Sequence, residues 1–502
     1  MKLKNVLIAL LAGCILASCA KEDLQISQPD PDQEPLSRQE INEKVEQEII
    51  RQQSVFRWGQ AEEQLLWSAV VQSDSTISIG YQPAGFENIK ERIHEINLQN
   101  QNWKQARENI IRTALSGLPG VSRNDILLQE DQDLPILLLK LSDRTAIARL
   151  RALPEVRYLE PANYQPEEIA RRSDSGCDVV PASSIPTADY TTVSPNVKVP
   201  WNFYNANIPA AWNTSTGAGI KVALIDTGTS PNQSKLGSAF NSGQSQGRTI
   251  SRKGTYVSSW WWWASPDGPD DQCGHGTQMA GLIAAPRGSG GATVGVAYNC
   301  NLLAIRGTGD VVVNGGSEKD GVKDALVIAG KDSGVKIISM SIGDVFWSDT
   351  VADGIYYAYN RGKLIFAAAG TSLSWTSWYG VIFPANMAET VAVTGVRDGS
   401  SLSRCNTCHS GSEVDFVAVM QRSSDNSRTS LTLAPSGNTP AYVGGSSAAT
   451  ATTAGIAALV WATNPGQSRN QVLNRMKNAS QFYPSRNSEF GWGLIDAAQA
   501  VN

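Results

Sequence analysis

Histidine is scarce in this chain of 502 residues: only His94, His275 and His409 are present, so any imidazole base must be one of three. A basic run of note is also lacking. Lys and Arg number 42 against 47 Asp and Glu, and the net charge is −5. That balance excludes nucleic-acid binding as the main function. The apolar stretch 6–16 is too short to span a bilayer. What remains is ordinary for a globular protein, with 41% hydrophobic and 18% charged residues. The length allows two or three domains with a large core. Glycine, at 44, and tryptophan, at 14, are on the rich side, which points to tight turns and a loop-rich surface.

Lys2 and Lys4 ahead of the stretch 6–16 read as a signal peptide. It ends in Leu16-Ala17-Ser18-Cys19, which resembles the bacterial lipobox. The expectation is a signal over 1–18, cleavage before Cys19 and lipidation of that cysteine. More than one acyl chain makes a stable membrane anchor. Ala20-Lys21-Glu22-Asp23 resembles the acidic export tag of surface lipoproteins, and 19–36 is too polar to fold alone and reads as a tether. These features place the protein in the bacterial cell envelope, at the outer membrane or cell surface, with release on maturation open.

Ser37-Arg38-Gln39-Glu40 is a capping box, after which Ile41, Val45 and Ile49 recur at helical spacing. Residues 76–81 alternate like a strand, and one long polar helix carrying Ile93, Ile96 and Trp103 is expected to run to Leu118-Pro119-Gly120. Short apolar strands follow at 126–128, 134–141 and 156–159, with a helix capped by Ser142-Asp143 and stopped by Pro154. The pattern gives a small α/β unit within 37–165, its ferredoxin-like part at about 120–165. Residues 166–195 lose periodicity and read as an exposed linker open to proteolysis. From 196 to 502, apolar runs at 222–225, 302–305, 336–341, 363–368 and 390–396 alternate with helical stretches such as 320–330 and 350–360. This is an α/β, doubly wound parallel sheet, whose ligand sites lie beyond the carboxyl ends of its strands.

Three stretches carry chemistry. The strand 222–225 runs straight into Asp226-Thr227-Gly228, where a carboxylate also reads as a turn cap. His275 sits in Cys273-Gly274-His275-Gly276-Thr277 before a helical run, where the helix dipole favours the neutral ring. Gly444-Gly445-Ser446-Ser447-Ala448-Ala449 opens a helix of small residues, and a serine there is either an N-cap or a nucleophile beside oriented N–H groups. In this order the three stretches resemble the subtilisin-like serine peptidases. Gly491-Trp492-Gly493-Leu494-Ile495-Asp496 is similar to that family's closing segment, and the resemblance covers about 205–502.

The resemblance implies a triad of Asp226, His275 and Ser447 acting on protein or peptide substrates, with no cofactor required for catalysis. It implies an oxyanion hole of the Ser447 backbone N–H and, where the family has asparagine, Thr371. Ser341, Ile342 and Gly343 would form one wall of the substrate pocket, Ala369 and Gly370 the other. Asp344 replaces a usual glycine and is expected to tilt specificity towards basic side chains. The unit ahead of 166 resembles an inhibitory propeptide, making the protein a zymogen. A non-catalytic surface lipoprotein on a degenerate scaffold is the alternative, and Thr371 is the feature that favours it.

Two further features lie in loops. Cys405-Asn406-Thr407-Cys408-His409 fits the haem-attachment pattern, but one copy in a loop reads instead as a small disulfide. Cys273 and Cys300 are expected to form a second bridge, leaving Cys177 unpaired. The run 260–263 of four tryptophans reads as a strand packing both faces, and the acidic loop 267–271 as solvated or as a structural calcium site.

Overall fold

Two sheets carry the fold of the computed structural model, which describes residues 34–165, 176–258, 264–371 and 380–502. Cys19, the signal 1–18, nearly all of the tether and the tryptophan run 260–263 lie outside the described residues, as does 166–175 of the expected linker. No helix among the described residues is long and apolar enough to cross a membrane.

The first layer opens with α1 (Arg38–Gln52), where the expected capping box is formed: Ser37 Oγ accepts from the Glu40 N–H, and Glu40 accepts from the Ser37 N–H. After α2 (Glu63–Val71) come β1 (Thr76–Tyr81), α3 (Gln101–Leu115), β2 (Leu127–Glu130), β3 (Ile136–Lys140), α4 (Arg144–Arg151) and β4 (Val156–Pro161). The four strands pair antiparallel in the order β2-β3-β1-β4. A βαββαβ chain in that order is ferredoxin-like, so this unit begins at Thr76 and not near 120. One of its two central strands, β1, lies far upstream of the rest. The single long helix is also corrected. Asn100 Oδ1 accepts from Asn102 N–H and starts α3 afresh, after short turns at Ile89–Arg92 and Ile93–Glu95.

The second layer contains β5 (Tyr190–Val193), β6 (Val197–Pro200), β7 (Lys221–Asp226), β8 (Ile250–Gly254), α5 (His275–Ala284), β9 (Asn301–Arg306), α6 (Gly316–Lys331) and β10 (Val335–Met340). It continues through α7 (Asp349–Asn360), β11 (Leu364–Ala368), β12 (Thr390–Arg397), β13 (Val414–Gln421), β14 (Ser430–Leu433), β15 (Pro440–Val443), α8 (Gly445–Ala462) and α9 (Arg469–Asn478). Seven strands form one parallel sheet, ordered β13-β12-β11-β10-β7-β9-β8. Alternation along β7 shows why it is covered on both faces: Val222 and Leu224 pack into the core with α8, Ala223 and Ile225 into the core with α6 and α7. The strand order reverses between β7 and β10, and the crevice at such a switch point is where ligands bind.

The layers meet at α6 and α7. Leu134 and Ile136 join the same core cluster as Val322, Ala325 and Ile355. Glu160 is buried at the end of β4, and its carboxylate accepts from the Asp349 and Thr350 N–H groups and the Ser348 hydroxyl. It caps a helix of the other layer. Beside it Arg157 pairs with Asp353, and Lys323 pairs with Asp131.

The expected linker is more structured than its composition suggested. Tyr190–Val193 pairs with Val197–Pro200, and Asp189 is buried against Arg428, Arg422 and the Tyr442 hydroxyl. The disulfide expectation is corrected as well. Cys177 is bridged to Cys273, and Cys300 is free and buried. Cys300 precedes the amino end of β9, whereas Cys273 lies by the carboxyl ends of the strands, and six residues of strand separate those ends by roughly 20 Å. The Cys405–Cys408 bridge is present.

Candidate active site

Asp226 is the last residue of β7 and is fully buried. Its Oδ1 accepts from the Thr227 N–H at 2.8 Å and lies 2.8 Å from His275 Nδ1. His275 is the first residue of α5, and Gly276 lets that helix approach β7. A Cβ at Gly276 would stand 2.2 Å from the Gly228 carbonyl oxygen. Burial pulls the His275 pKa down, but the charge and hydrogen bond of Asp226, with Asp271 behind, outweigh it and leave the pKa raised.

Asp271 is the functional residue that sequence reasoning missed. Its Oδ1 accepts from Thr227 Oγ1 (2.9 Å), Cys273 N–H (3.0 Å) and Gly274 N–H (2.7 Å). Its Oδ2 accepts from the N–H (2.9 Å) and hydroxyl (2.6 Å) of Thr277. Thr227 Oγ1 in turn accepts from Gly276 N–H at 2.8 Å. One carboxylate thus ties the Asp226 turn to the first turn of the histidine helix. The available signal was its position four residues before His275, where it can reach the free N–H groups of the helix start.

The carboxylates of the acidic loop 267–271 have protein partners. Both Asp271 oxygens are taken by protein donors, Asp270 pairs with Arg252, and Asp267 accepts from Ser258 N–H. Among the described residues no group of three His, Cys, Asp or Glu could hold a metal ion.

Ser447 is in the first turn of α8. Its hydroxyl donates to the Ser341 carbonyl at 3.3 Å, and the Ser341 hydroxyl donates to the Ser447 carbonyl at 3.0 Å. Among the described residues no hydrogen bond joins Ser447 to His275, although both line one cavity of about 870 Å³. Ser341, Ile342, Gly343, Gly370 and Thr371 line it too, as the sequence led us to expect. Ala369 does not. It is fully buried; its N–H donates to the Val393 carbonyl, and its carbonyl accepts from the Ile382 N–H. Gly343 is already paired, its N–H to Val311 and its carbonyl from Val313, so an incoming peptide must displace that loop or pair elsewhere on 341–343.

Thr371 sits at the mouth of α8. Its Oγ1 accepts from Ser446 N–H at 3.3 Å and lies 3.0 Å from Ser446 Oγ. Ser446 Oγ also accepts from Gly370 N–H at 3.2 Å. Gly445 has φ +74, and a Cβ there would come 2.9 Å from Thr371 Oγ1, so glycine serves both the turn and the contact. Asp344 is buried, and burial pushes its pKa up to about 7. Near neutrality it is therefore a weaker counter-charge for a basic side chain than its sequence position implied. His409 is buried against Gly370, with its ring bonded to the Gly380 carbonyl, and burial pulls its pKa down to about 4. It supports the Thr371 turn, and the bridged Cys405 and Cys408 have no thiol to offer a haem.

The sequence profile described as the Subtilase family matches residues 217–493, more than half the chain and all of the site elements above. Alkaline protease of Alkalihalobacillus alcalophilus is 29% identical over 75% of this chain and 81% of its own. That match is longer than 217–493, and few residues follow 493, so it extends into the first layer. Subtilisin Savinase of Lederbergia lenta is 31% identical over 60% of this chain and 98% of its own length. Among solved structures, fervidolysin from Fervidobacterium pennivorans superposes with a TM-score of 0.58 over 85% of this chain and 60% of its own. At 18% identity that likeness speaks for the fold alone. A buried aspartate–histidine pair, a serine on the same cavity, the family match and the two protease relatives favour the enzyme over the binding-only alternative: the chain belongs to the subtilase family and is a serine endopeptidase.

Proposed function

We propose that Asp226, His275 and Ser447 form the catalytic triad of an exported endopeptidase, made as a zymogen and anchored by lipid at Cys19. The observation that carries the triad is the 2.8 Å bond between the buried Asp226 and His275 on the cavity that Ser447 lines. Asp226 holds the proton on Nδ1 and leaves Nε2 free as the base. For attack, the Ser447 hydroxyl leaves the Ser341 carbonyl, turns to the ring and gives up its proton as its oxygen bonds the scissile carbonyl carbon. The imidazolium so formed is stabilised by Asp226 and then protonates the leaving amine. The Ser447 N–H would be one donor to the developing oxyanion, and the Thr371 hydroxyl the other when its bond with Ser446 Oγ leaves its proton free.

The first layer is the propeptide in this reading. It rests on α6 and α7, and its end meets the start of α6, where Asn163 Oδ1 accepts from Gly316 N–H. Export is supported by the lipobox and by two disulfides, which persist in oxidising compartments. A fluorophosphonate probe tests the nucleophile. The wild type is expected to label and Ser447→Ala not to. Labelling that survives Ser447→Ala would overturn the assignment.

A further inference from the structure

The segment 176–183 runs along the active site instead of hanging free. All eight residues line the same cavity as His275 and Ser447. The Cys177–Cys273 bridge fixes one end two residues before His275. Gly176 lies against the histidine ring and Val311, where a Cβ would be 3.6 Å from His275 Cδ2 and 3.5 Å from Val311 Cγ1. Val179 covers Gly274, where a Cβ would come within 2.8 Å of it. At the other end Ala182 N–H donates to the Pro440 carbonyl at 2.9 Å, on the strand that leads into α8. Between these fixed points Val180 is 71% exposed, one of few large apolar side chains left in the open.

We propose that 177–183 is a permanent wall of the substrate cleft, retained when the first layer is cut away, and that its valines take an apolar side chain of an extended polypeptide substrate. The inference rests on the zymogen and triad reading above. Two features favour a wall over a passing linker. A segment fixed at both ends loses little freedom when substrate binds, which is what a specificity surface needs. An exposed valine inside a cleft is costly in water and gains from apolar contact. The crosslink also fixes the order of events. A cut N-terminal to Cys177 frees the first layer and leaves the strap on the histidine loop.

The test uses self-processed enzyme. Mass spectrometry of an unreduced digest is expected to find the Cys177–Cys273 crosslinked peptide. Internally quenched peptides carrying Leu or Asp around the scissile bond then read the wall. Val180→Asp is expected to raise KM for the Leu peptides about tenfold, with kcat within about twofold. Cys177→Ser, which frees one end, should do the same. Val180→Asp alters an exposed side chain and keeps the test valid if Cys177→Ser fails to fold. An unchanged preference for Leu over Asp peptides in Val180→Asp, or a mature chain beginning after Ser183, would overturn the proposal. Fluorophosphonate labelling reports Ser447 separately. Absent labelling counts against the triad, whereas labelled enzyme whose Val180→Asp variant keeps its preference for Leu overturns the wall alone.

Discussion

Asp271 gathers five donors and, with the triad proposed above, would act through His275 without touching substrate. It does so by geometry, holding the Thr227 turn to the start of α5, and by charge, adding to the raised pKa of His275. The base works only when neutral, so activity rises as pH climbs through that pKa. Asp271→Asn keeps the shape, drops the charge and leaves some donors unpaired. The acidic limb of the kcat/KM profile is expected to move to lower pH, and the plateau to fall by about tenfold or more, ~1.4 kcal/mol. A plateau loss with an unmoved limb would show a structural role only. Thr371 poses a narrower question about one proton. If Ser446 Oγ accepts from Gly370 N–H and donates to Thr371 Oγ1, the Thr371 proton is free for the oxyanion. If the bond runs the other way, the hole keeps a single donor. Subtilisin itself is the established case that sets the scale: loss of its asparagine donor costs ~10²–10³ in kcat. We expect Thr371→Val to lower kcat and Thr371→Asn to raise it, read by peptide hydrolysis after maturation; equal kcat in wild type and Thr371→Val would exclude the hydroxyl.

At the scale of elements, what was legible follows from burial. β7, β9, β10, β11 and β12 are runs buried on both faces, and such runs stand out as unbroken apolar residues. β8 did not, because Ile250–Gly254 is an edge strand whose residues are exposed or half-buried, two of them charged. β1 was seen as a strand but assigned to no sheet, since its partners follow only after α3, and pairing partners leave no local trace in sequence. The positions proposed for the triad stood out because each lies where a buried run meets a turn of glycines. The Cys177–Cys273 bridge was not. Cysteine pairing depends on which loops the fold brings to one end of the sheet, and the sequence distance of 96 carries no hint of it. Asp271 was hidden for a related reason: its loop reads as acidic and solvated until α5 is placed above it.

Across the whole molecule, buried polar pairs lie between the two layers beside a shared apolar core, in which Leu134 and Ile136 pack with Val322 and Ala325, and Trp58 stacks on Phe346. Arg157 of β4 donates to the Tyr81 carbonyl at 3.1 Å and to Asp353 Oδ1 at 3.0 Å, and the Tyr158 hydroxyl donates to Asp353 at 3.2 Å. The side chains of Arg157 and Asp353 are 12% and 4% exposed. Burial alone would lower the arginine pKa, but Asp353 outweighs it and holds the guanidinium charged. Removing one partner leaves the other buried without its counter-charge, which costs about 3–5 kcal/mol, whereas replacing both by apolar residues of similar size is often close to neutral. The prediction is therefore a cycle in the Ser447→Ala background, which keeps the chain uncut. Arg157→Met and Asp353→Leu should each lower stability to denaturant by about 3–5 kcal/mol, and the double variant should recover most of the loss. Additive losses would mean that the pair is not coupled.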